Sequence, residues 1–473
     1  MSPRVEVVPT HHTALTLGRL LADEPGLSVL HGARPDAWGQ STSIVAARPL
    51  VTFTARGTAC EVRRPDGSIE RPYGNPWRIL GPLLAPFELE DDARHPFPLG
   101  AAIGHFGYEL NQFVEPRLAR RAINDLELPD CHLGLHGSLV AFVEGQAHVV
   151  ATGWDASGSR SPERARQELE WWRDRLSQPV PAAPTLHRID GVRPPRASLE
   201  GPFYTAAIRR AQAYIHTGDI YQVNLARRLD APLGLGSWDL FESLVALSPA
   251  PYAAFMASAG FDLVSASPEL FLAMDERHVV TRPIKGTRPR GRDAESDARL
   301  ARELLASEKE RAELTMITDL LRNDLGRVAT FGSVRVPDLL RLESYAHVHH
   351  LVSTIEATLR DGVGHLDALE ACFPGGSITG APKLRAMEII DELEPVARGP
   401  YCGCHGYLGF NRRSRLAITI RSALVRDGHA WFHSGAGIVA DSQPDAELAE
   451  TEAKAAGFLA ALGVTAASSH SLP

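Results

Sequence analysis

The sequence predicts a mixed α/β fold, and three observations carry that prediction. Runs rich in β-branched and aromatic residues, such as VEVV, LVTFTA, AAIGHFGYEL and SLVAFVEGQAHVVATGW, alternate with turn residues through about residue 153. Segments of helical periodicity lie between and after them, at 162–177 (PERARQELEWWRDRLS) and from Tyr204 (YTAAIRRAQAYIHTGD, closing at Gly218). At 473 residues and 44% hydrophobic, the chain is long enough to bury a large core around a deep pocket.

Further elements follow in order. YQVNLARRL reads as a strand, and FESLVALS as a helix stopped by Pro249 and Pro251. One long helix is expected around 295–323, then a strand at HVHHLVSTIEATL and a helix at HLDALEACF. The glycine-rich GGSITGAPK opens a helix at LRAMEIIDELE, and the chain closes strand, strand, helix: RLAITIRSALV, HAWFHSGAGIV and DAELAETEAKAAGFLAAL. The expected organisation is an N-terminal region at 1–153, a helix and proline-rich linker at 154–199, a catalytic region at 200–462 and a frayed tail at 463–473.

Bulk properties narrow the function. A net charge of -8 argues against a general nucleic-acid binder, while a local Arg/Lys cluster can still receive a small anion. The five cysteines are an odd and scattered set, as expected of a reducing compartment. Cys402-Gly403-Cys404-His405 has no second Cys/His pair at matching spacing, so a zinc site is not expected. With neither a signal-peptide pattern nor a run of about 18 apolar residues, the expected location is cytoplasmic and no membrane partner is expected.

Several constellations could carry chemistry. Glu310 and Glu313 share one helix face, and Glu447, Glu450 and Lys454 share another. Each stripe reads first as a solvated face. Its functional reading needs Glu313, Glu447 and Glu450 to converge on one hard cation such as magnesium. The loop Phe373–Lys383 falls short of a nucleotide-binding P-loop, because Ala-Pro-Lys replaces Gly-Lys-Ser/Thr and Pro382 removes a backbone donor. Its glycines and proline-started helix still suit a carboxylate. Lys285 lies in the basic run Arg282–Gly291, where neighbouring cations would favour loss of its proton and make it a nucleophile. His350 reads as a core histidine, Glu269 as a turn carboxylate, and Arg421, flanked by apolar residues, as a buried cation in need of an anion.

Taken together, GDIYQVNLARRL, SPAPYAAF, SASPELF, RPIKGTRPRG, KERAELTMITDLLRNDLGRV, HHLVSTI, FPGGSITGAPKLRAME, GPYCGCHGYLGF, AITIRSA and GAGIVADSQPDAELAETEAKA resemble the chorismate-utilising enzymes, in family order over 204–457. The resemblance implies two opposed antiparallel sheets with outer helices, as in anthranilate synthase component I, with the cleft between the sheets. It implies Mg2+ on Glu313, Glu447 and Glu450, binding the ring carboxylate of chorismate. Arg421 and Tyr401 would hold the enolpyruvyl carboxylate, with backbone help near Gly437. Ser377 and its loop, including Thr379, would contact the ring carboxylate. Glu269 would be the general acid/base at the C4 hydroxyl and His350 a polar assistant, while Glu310 and Lys454 complete the shell.

Two positions choose the branch. The lysine in Pro283-Ile284-Lys285-Gly286-Thr287 resembles the aminodeoxychorismate synthases, in which that amine attacks ring C2, whereas anthranilate synthases typically read PIAGT. Gln222 stands where isochorismate and salicylate synthases carry a lysine that activates water. The chain has no Gly-x-Cys-x-Gly glutaminase elbow, so the resemblance implies ammonia from a separate glutamine amidotransferase subunit, and the product would feed 4-aminobenzoate and folate-type synthesis. Anthranilate synthase component I is the alternative within the family, and an anion- or nucleotide-binding protein using the 375–383 loop is the alternative outside it. Val29–Ala33 departs from the family's tryptophan-binding stretch, which leaves tryptophan binding unsupported.

Overall fold

A computed structural model describes residues 2–32, 41–89, 95–182, 195–258, 260–345 and 348–463. The linker's centre and nearly all of the expected tail lie outside these residues.

Two 12-stranded sheets form the frame, and every pairing between their strands is antiparallel. The first runs from Arg4–Val8 through Gln146–Ala151, Ser138–Val143, Thr42–Ala46 and Ser28–His31. It continues through Tyr252–Ser258, Phe261–Ser267, Ser422–Arg426, His429–Ile438 and Gln222–Pro232 to Arg196–Ala197, with Gly380–Ala381 paired to the start of Gln222–Pro232. The second begins at Ile284–Pro289 and passes through Val348–Thr358, His278–Arg282, Leu270–Asp275, Arg413–Ile418 and Cys404–Gly409. It ends with Ala101–Phe106, Cys131–His136, Val51–Arg56, Ala59–Arg63 and Ile69–Glu70, while Arg335–Ser344 pairs with Val348–Thr358.

Each sheet therefore mixes strands from before and after the linker. Ser28–His31 pairs with Tyr252–Ser258, and Ala101–Phe106 pairs with Cys404–Gly409. The boundary near 200 divides the sequence but not the fold.

Strand alternation builds the layers. Along Tyr252–Ser258, Ala254 and Met256 enter the core shared by both sheets, while Ala253 and Phe255 face a second core. Helices Ala14–Leu20, Pro162–Ser177, Ser237–Leu247 and Pro444–Ala461 cover that second core. The large shared-core side chains include Phe53, Phe106, Trp77 and Phe271, and Trp77 stacks on Phe106 at 5.3 Å.

Local chemistry corrects two sequence expectations. The helix expected at 295–323 is two, Ala294–Ala306 and Glu308–Gly326. Ser307 ends the first and caps the second, its hydroxyl accepting from the Glu310 N–H at 3.4 Å. RLAITIRSALV is also two strands, broken where Arg421 takes a φ of 49°. Arg335–Ser344 adds a strand beyond those expected from the sequence; it lies outside the main strand path, where the missing N–H of Pro337 is tolerated. All five cysteines are buried and unbridged, and the His405 ring is engaged by Thr419 and the Tyr252 carbonyl. Among the described residues, no helix is long and apolar enough to cross a membrane.

Phe53 is fully buried in the shared core. Phe53→Ala is expected to lower unfolding free energy by about 3–5 kcal/mol, read as an earlier urea midpoint with an unchanged slope.

Candidate active site

The two sheets and the helices Glu308–Gly326 and Pro444–Ala461 line a cavity of about 620 Å³. Three breaks in regular structure bring functional groups to it. Glu269 occupies the crossover between Phe261–Ser267 in the first sheet and Leu270–Asp275 in the second. Arg421 occupies the break between Arg413–Ile418 and Ser422–Arg426, likewise a crossover between sheets. At Gly286, with φ of 73°, the register of Ile284–Pro289 shifts between Lys285 and Thr287. A Cβ at Gly286 would lie 2.8 Å from Leu304 and 3.0 Å from the Glu310 carboxylate, so glycine lets helix and strand close together.

Most of the expected residues meet here. Lys285, Glu269, His350, Ser377, Tyr401, Arg421, Gly437, Lys454, Glu313, Glu447, Glu450 and Glu310 all line the cavity. Gln222 stands just behind, its amide donating to the Glu313 carboxylate. Thr379 is the exception: fully buried, it spends its hydroxyl on the carbonyls of Gly375 and Gly376, at 3.1 and 3.3 Å, and holds the loop's shape. The start of helix Lys383–Leu393 is also not part of the cavity wall. Ser377 and Ile378 of the preceding turn reach the cavity instead, and Lys383 is tied to Asp324 at 2.6 Å.

The charge environment of Lys285 differs from the one its neighbours in sequence suggested. Its Nζ lies 2.7 Å from a Glu313 oxygen and donates to the Ser377 carbonyl at 3.3 Å. Burial alone would lower its pKa, but Glu313, then Glu269 and Glu450, outweigh that and hold it above the ordinary lysine value. The nearby cations of the basic run turn elsewhere: Arg282 pairs with Glu343, Arg288 with Glu310 and Arg290 with Asp297. Lys285 is thus held protonated in this form. Glu313 responds in the matching direction, its pKa lowered by Lys285 against burial.

The remaining carboxylates have partners as well. Glu447 accepts from Ser442 at 2.7 Å and lies 3.5 Å from the Lys309 ammonium. Glu450 pairs with Lys454 at 2.7 Å, and Lys454 also donates to the Gly435 carbonyl at 2.8 Å. Among the described residues, no three His, Cys, Asp or Glu side chains stand together as a metal-ligand group. The three glutamates share one cavity and supply the oxygen donors a hard divalent cation prefers, but lysines occupy them here. Holding such an ion would require these ion pairs to open.

Two groups stand ready for an anionic ligand with a hydroxyl to lose. Burial raises the Glu269 pKa, opposed by a hydrogen bond from Ser377 and by the charges of Lys285 and Arg421, so the carboxyl retains its proton to higher pH than usual. No described residue hydrogen-bonds or ion-pairs with the Arg421 guanidinium, and burial disfavours its charge. A buried guanidinium facing an open cavity is a site for an anion.

Sequence reasoning missed Asn224, Thr287, Lys309 and His433, which complete the wall. His433 stacks on Tyr401 at 4.9 Å, and Thr287 contacts His350 Nδ1 at 3.0 Å. A signal was present: His433, Gly435 and Gly437 share a strand face by period two, as do Gln222 and Asn224 on the paired strand. Gly437 also admits its neighbours, since a Cβ there would fall 2.6 Å from Gln222 Nε2 and 3.0 Å from Glu313 Oε1.

Comparison with known proteins identifies the family of the chain. The chain is 44% identical over 414 residues to anthranilate synthase component 1 of Thermus thermophilus, covering 87% of this chain and 85% of that one. It is 39% identical over 432 residues to aminodeoxychorismate synthase component 1 of Klebsiella aerogenes, covering 91% and 92%. The crystal structure of anthranilate synthase component I from Streptococcus pneumoniae superposes with a TM-score of 0.76 at 30% identity, over 88% of this chain and 92% of that one. Residues 41–460 match the pattern of the chorismate binding enzymes, so the unpaired arginine and the carboxyl with a raised pKa sit in the cavity of a member of the chorismate binding enzyme family.

Proposed function

We propose that this enzyme aminates chorismate to 4-amino-4-deoxychorismate, through an intermediate in which Lys285 is bonded to the substrate ring. The observation that carries this reading is the position of the Lys285 amine, inside the cavity among Glu313, Glu269 and Ser377. With its proton passed to a cavity carboxylate, the Lys285 amine attacks ring C2, both ring double bonds shift, and the C4 hydroxyl leaves as water on taking the Glu269 proton. Ammonia then bonds to C4, the double bond shifts back, and the Lys285 amine is expelled. Arg421, assisted by Tyr401 and the backbone near Gly437, holds one carboxylate of the dianion, while Ser377 contacts the other. His350, Lys454 and Glu310 orient the groups that touch the ring.

Glu313, Glu447 and Glu450 would hold Mg2+, which when bound offsets the charge of the ring carboxylate. Glu313 is also the ion-pair partner of Lys285, so release of the nucleophile requires that pair to open. Gln222 carries no basic group to activate water, which disfavours hydration at C2. The ammonia source in this reading is a separate glutamine amidotransferase subunit, and the product serves 4-aminobenzoate and folate-type synthesis in the cytoplasm. A second reading, anthranilate synthase component I, has the 44% identical relative behind it. It differs in eliminating pyruvate.

Product analysis of the purified chain with chorismate, Mg2+ and an ammonium salt separates the two. The expected product is 4-amino-4-deoxychorismate, and fluorescent anthranilate as the main product would exclude the first reading. Lys285→Ala should reduce amination by about a hundredfold or more, on the scale of a lost nucleophile; a variant as fast as the parent would rule out the covalent route. Arg421→Met should leave the ligand-free melting temperature unchanged or higher, because it removes an uncompensated buried charge. The same variant should weaken chorismate binding by about tenfold or more, measured by calorimetry. Chelation with EDTA should abolish turnover and added Mg2+ restore it, while the melting temperature of the apo chain stays the same.

A further inference from the structure

Behind the reaction cavity lies a second, smaller one of about 90 Å³ that the proposed reaction does not use. Tyr108, Glu109 and Arg398 form its inner wall, with Leu118 and Met387 among its apolar residues. Glu109 is buried, and one of its oxygens accepts from the Arg398 N–H at 2.9 Å. Its other oxygen, Oε2, and the Tyr108 hydroxyl are both buried without a hydrogen-bond partner among the described residues. A buried carboxylate oxygen left unbonded is costly, and a cationic donor would satisfy it. Burial, then Asp130, pushes the Glu109 carboxyl up to about 7, so a cation beside it would relieve an existing strain on its charge.

Three carboxylates, those of Glu109, Asp391 and Glu394, face two guanidiniums, those of Arg120 and Arg398, around this space. Arg120 is also the partner of Asp130, so acidic groups outnumber guanidiniums here. The ionised Glu109 oxygen accepts only, the Tyr108 hydroxyl can accept as well as donate, and the space is polar at one wall and apolar at the other. A compact monovalent cation that donates hydrogen bonds fits these requirements.

The partition toward the reaction cavity is one side chain deep. Arg398 is fully buried, pairs with Glu394 at 2.6 Å, and lies over the Tyr108 ring at 4.7 Å and the Tyr401 ring at 5.8 Å. Its guanidinium donates to the Ile378 carbonyl at 3.1 Å and the Asn224 carbonyl at 2.8 Å. Asn224, Ile378 and Tyr401 all line the reaction cavity. On the outer side stands Arg120, whose side chain is 43% exposed and only loosely paired with Asp130, at 3.4 Å.

We propose that the chamber bounded by Tyr108, Glu109 and Arg398 is an ammonium-binding site, placed one residue behind the wall of the reaction cavity. This rests on the amination reading. Ammonium enters past Arg120 and donates hydrogen bonds to Glu109 Oε2 and the Tyr108 oxygen. One N–H bond breaks as its proton passes to the Glu109 carboxylate, leaving neutral ammonia and a carboxylic acid. Ammonia then passes Arg398 to attack C4.

Steady-state kinetics of the full chain, with chorismate, Mg2+ and varied ammonium chloride at fixed ionic strength, tests this. Glu109→Gln should raise the KM for ammonium about tenfold or more, with the KM for chorismate within about twofold. Tyr108→Phe should raise the ammonium KM by a smaller factor. Unchanged ammonium KM values in both variants, or an equal rise in the two KM values, would overturn the site. Melting curves without chorismate keep the test independent of the amination reading. Ammonium chloride should raise the melting temperature saturably where sodium and potassium chloride at the same ionic strength do not, and Glu109→Gln should abolish that rise. No rise, or an equal rise with potassium, would defeat the proposal even if the chain aminates chorismate. If Glu109→Gln does not fold, Tyr108→Phe carries both comparisons.

Discussion

A buried ammonium needs a counter-ion, and the Lys285–Glu313 pair meets that need at the centre of the cavity. The strand that carries Lys285 and the helix that carries Glu313 belong to different layers, so this pair fixes how they approach. Gly286 lets them close, and Gln222 steadies Glu313 from the first sheet. Without Glu313 the lysine would be an uncompensated buried charge, and without Lys285 the same would hold for the carboxylate.

The rest of the cavity follows the same accounting of charge. Glu450 is matched by Lys454, Glu447 by Lys309 and Ser442, and Glu310 by Arg288. Two groups escape this matching, in opposite senses. Glu269 meets its burial by favouring the neutral acid, and Arg421 keeps a charge that no described side chain pairs with. An unmatched cation and an acid with a raised pKa at adjacent sheet crossovers are what a dianionic substrate with a departing hydroxyl requires. The smaller chamber behind Arg398 has the reverse imbalance, an excess of acceptors, and so suits a cation rather than the substrate.

The antiparallel frame explains how such distant residues meet. Glu269 and Arg421 are 152 positions apart, yet each sits where the chain leaves one sheet for the other. At such a crossover regular strand pairing lapses, though the Glu269 and Arg421 carbonyls still accept from Ile418 and Ala266, and a side chain can point into the space between the sheets. The left-handed backbone of Arg421 is the local cost of that direction.

The sequence alone determined the helical faces and most of the strands. Glu447, Glu450 and Lys454 lie on one stripe because spacing of three and four on a helix leaves no alternative. Its motifs also placed the chain among chorismate-utilising enzymes. Only the tertiary structure decided the environment of Lys285, because arginines adjacent in sequence turn to other carboxylates while Glu313, 28 residues away, turns inward. It likewise decided that Thr379 serves its own loop, that His433 joins the wall, and that N- and C-terminal strands share both sheets. Periodicity reports which face of an element is apolar. It carries no information on which charged side chain will find which partner, since that depends on contacts between elements far apart in the chain.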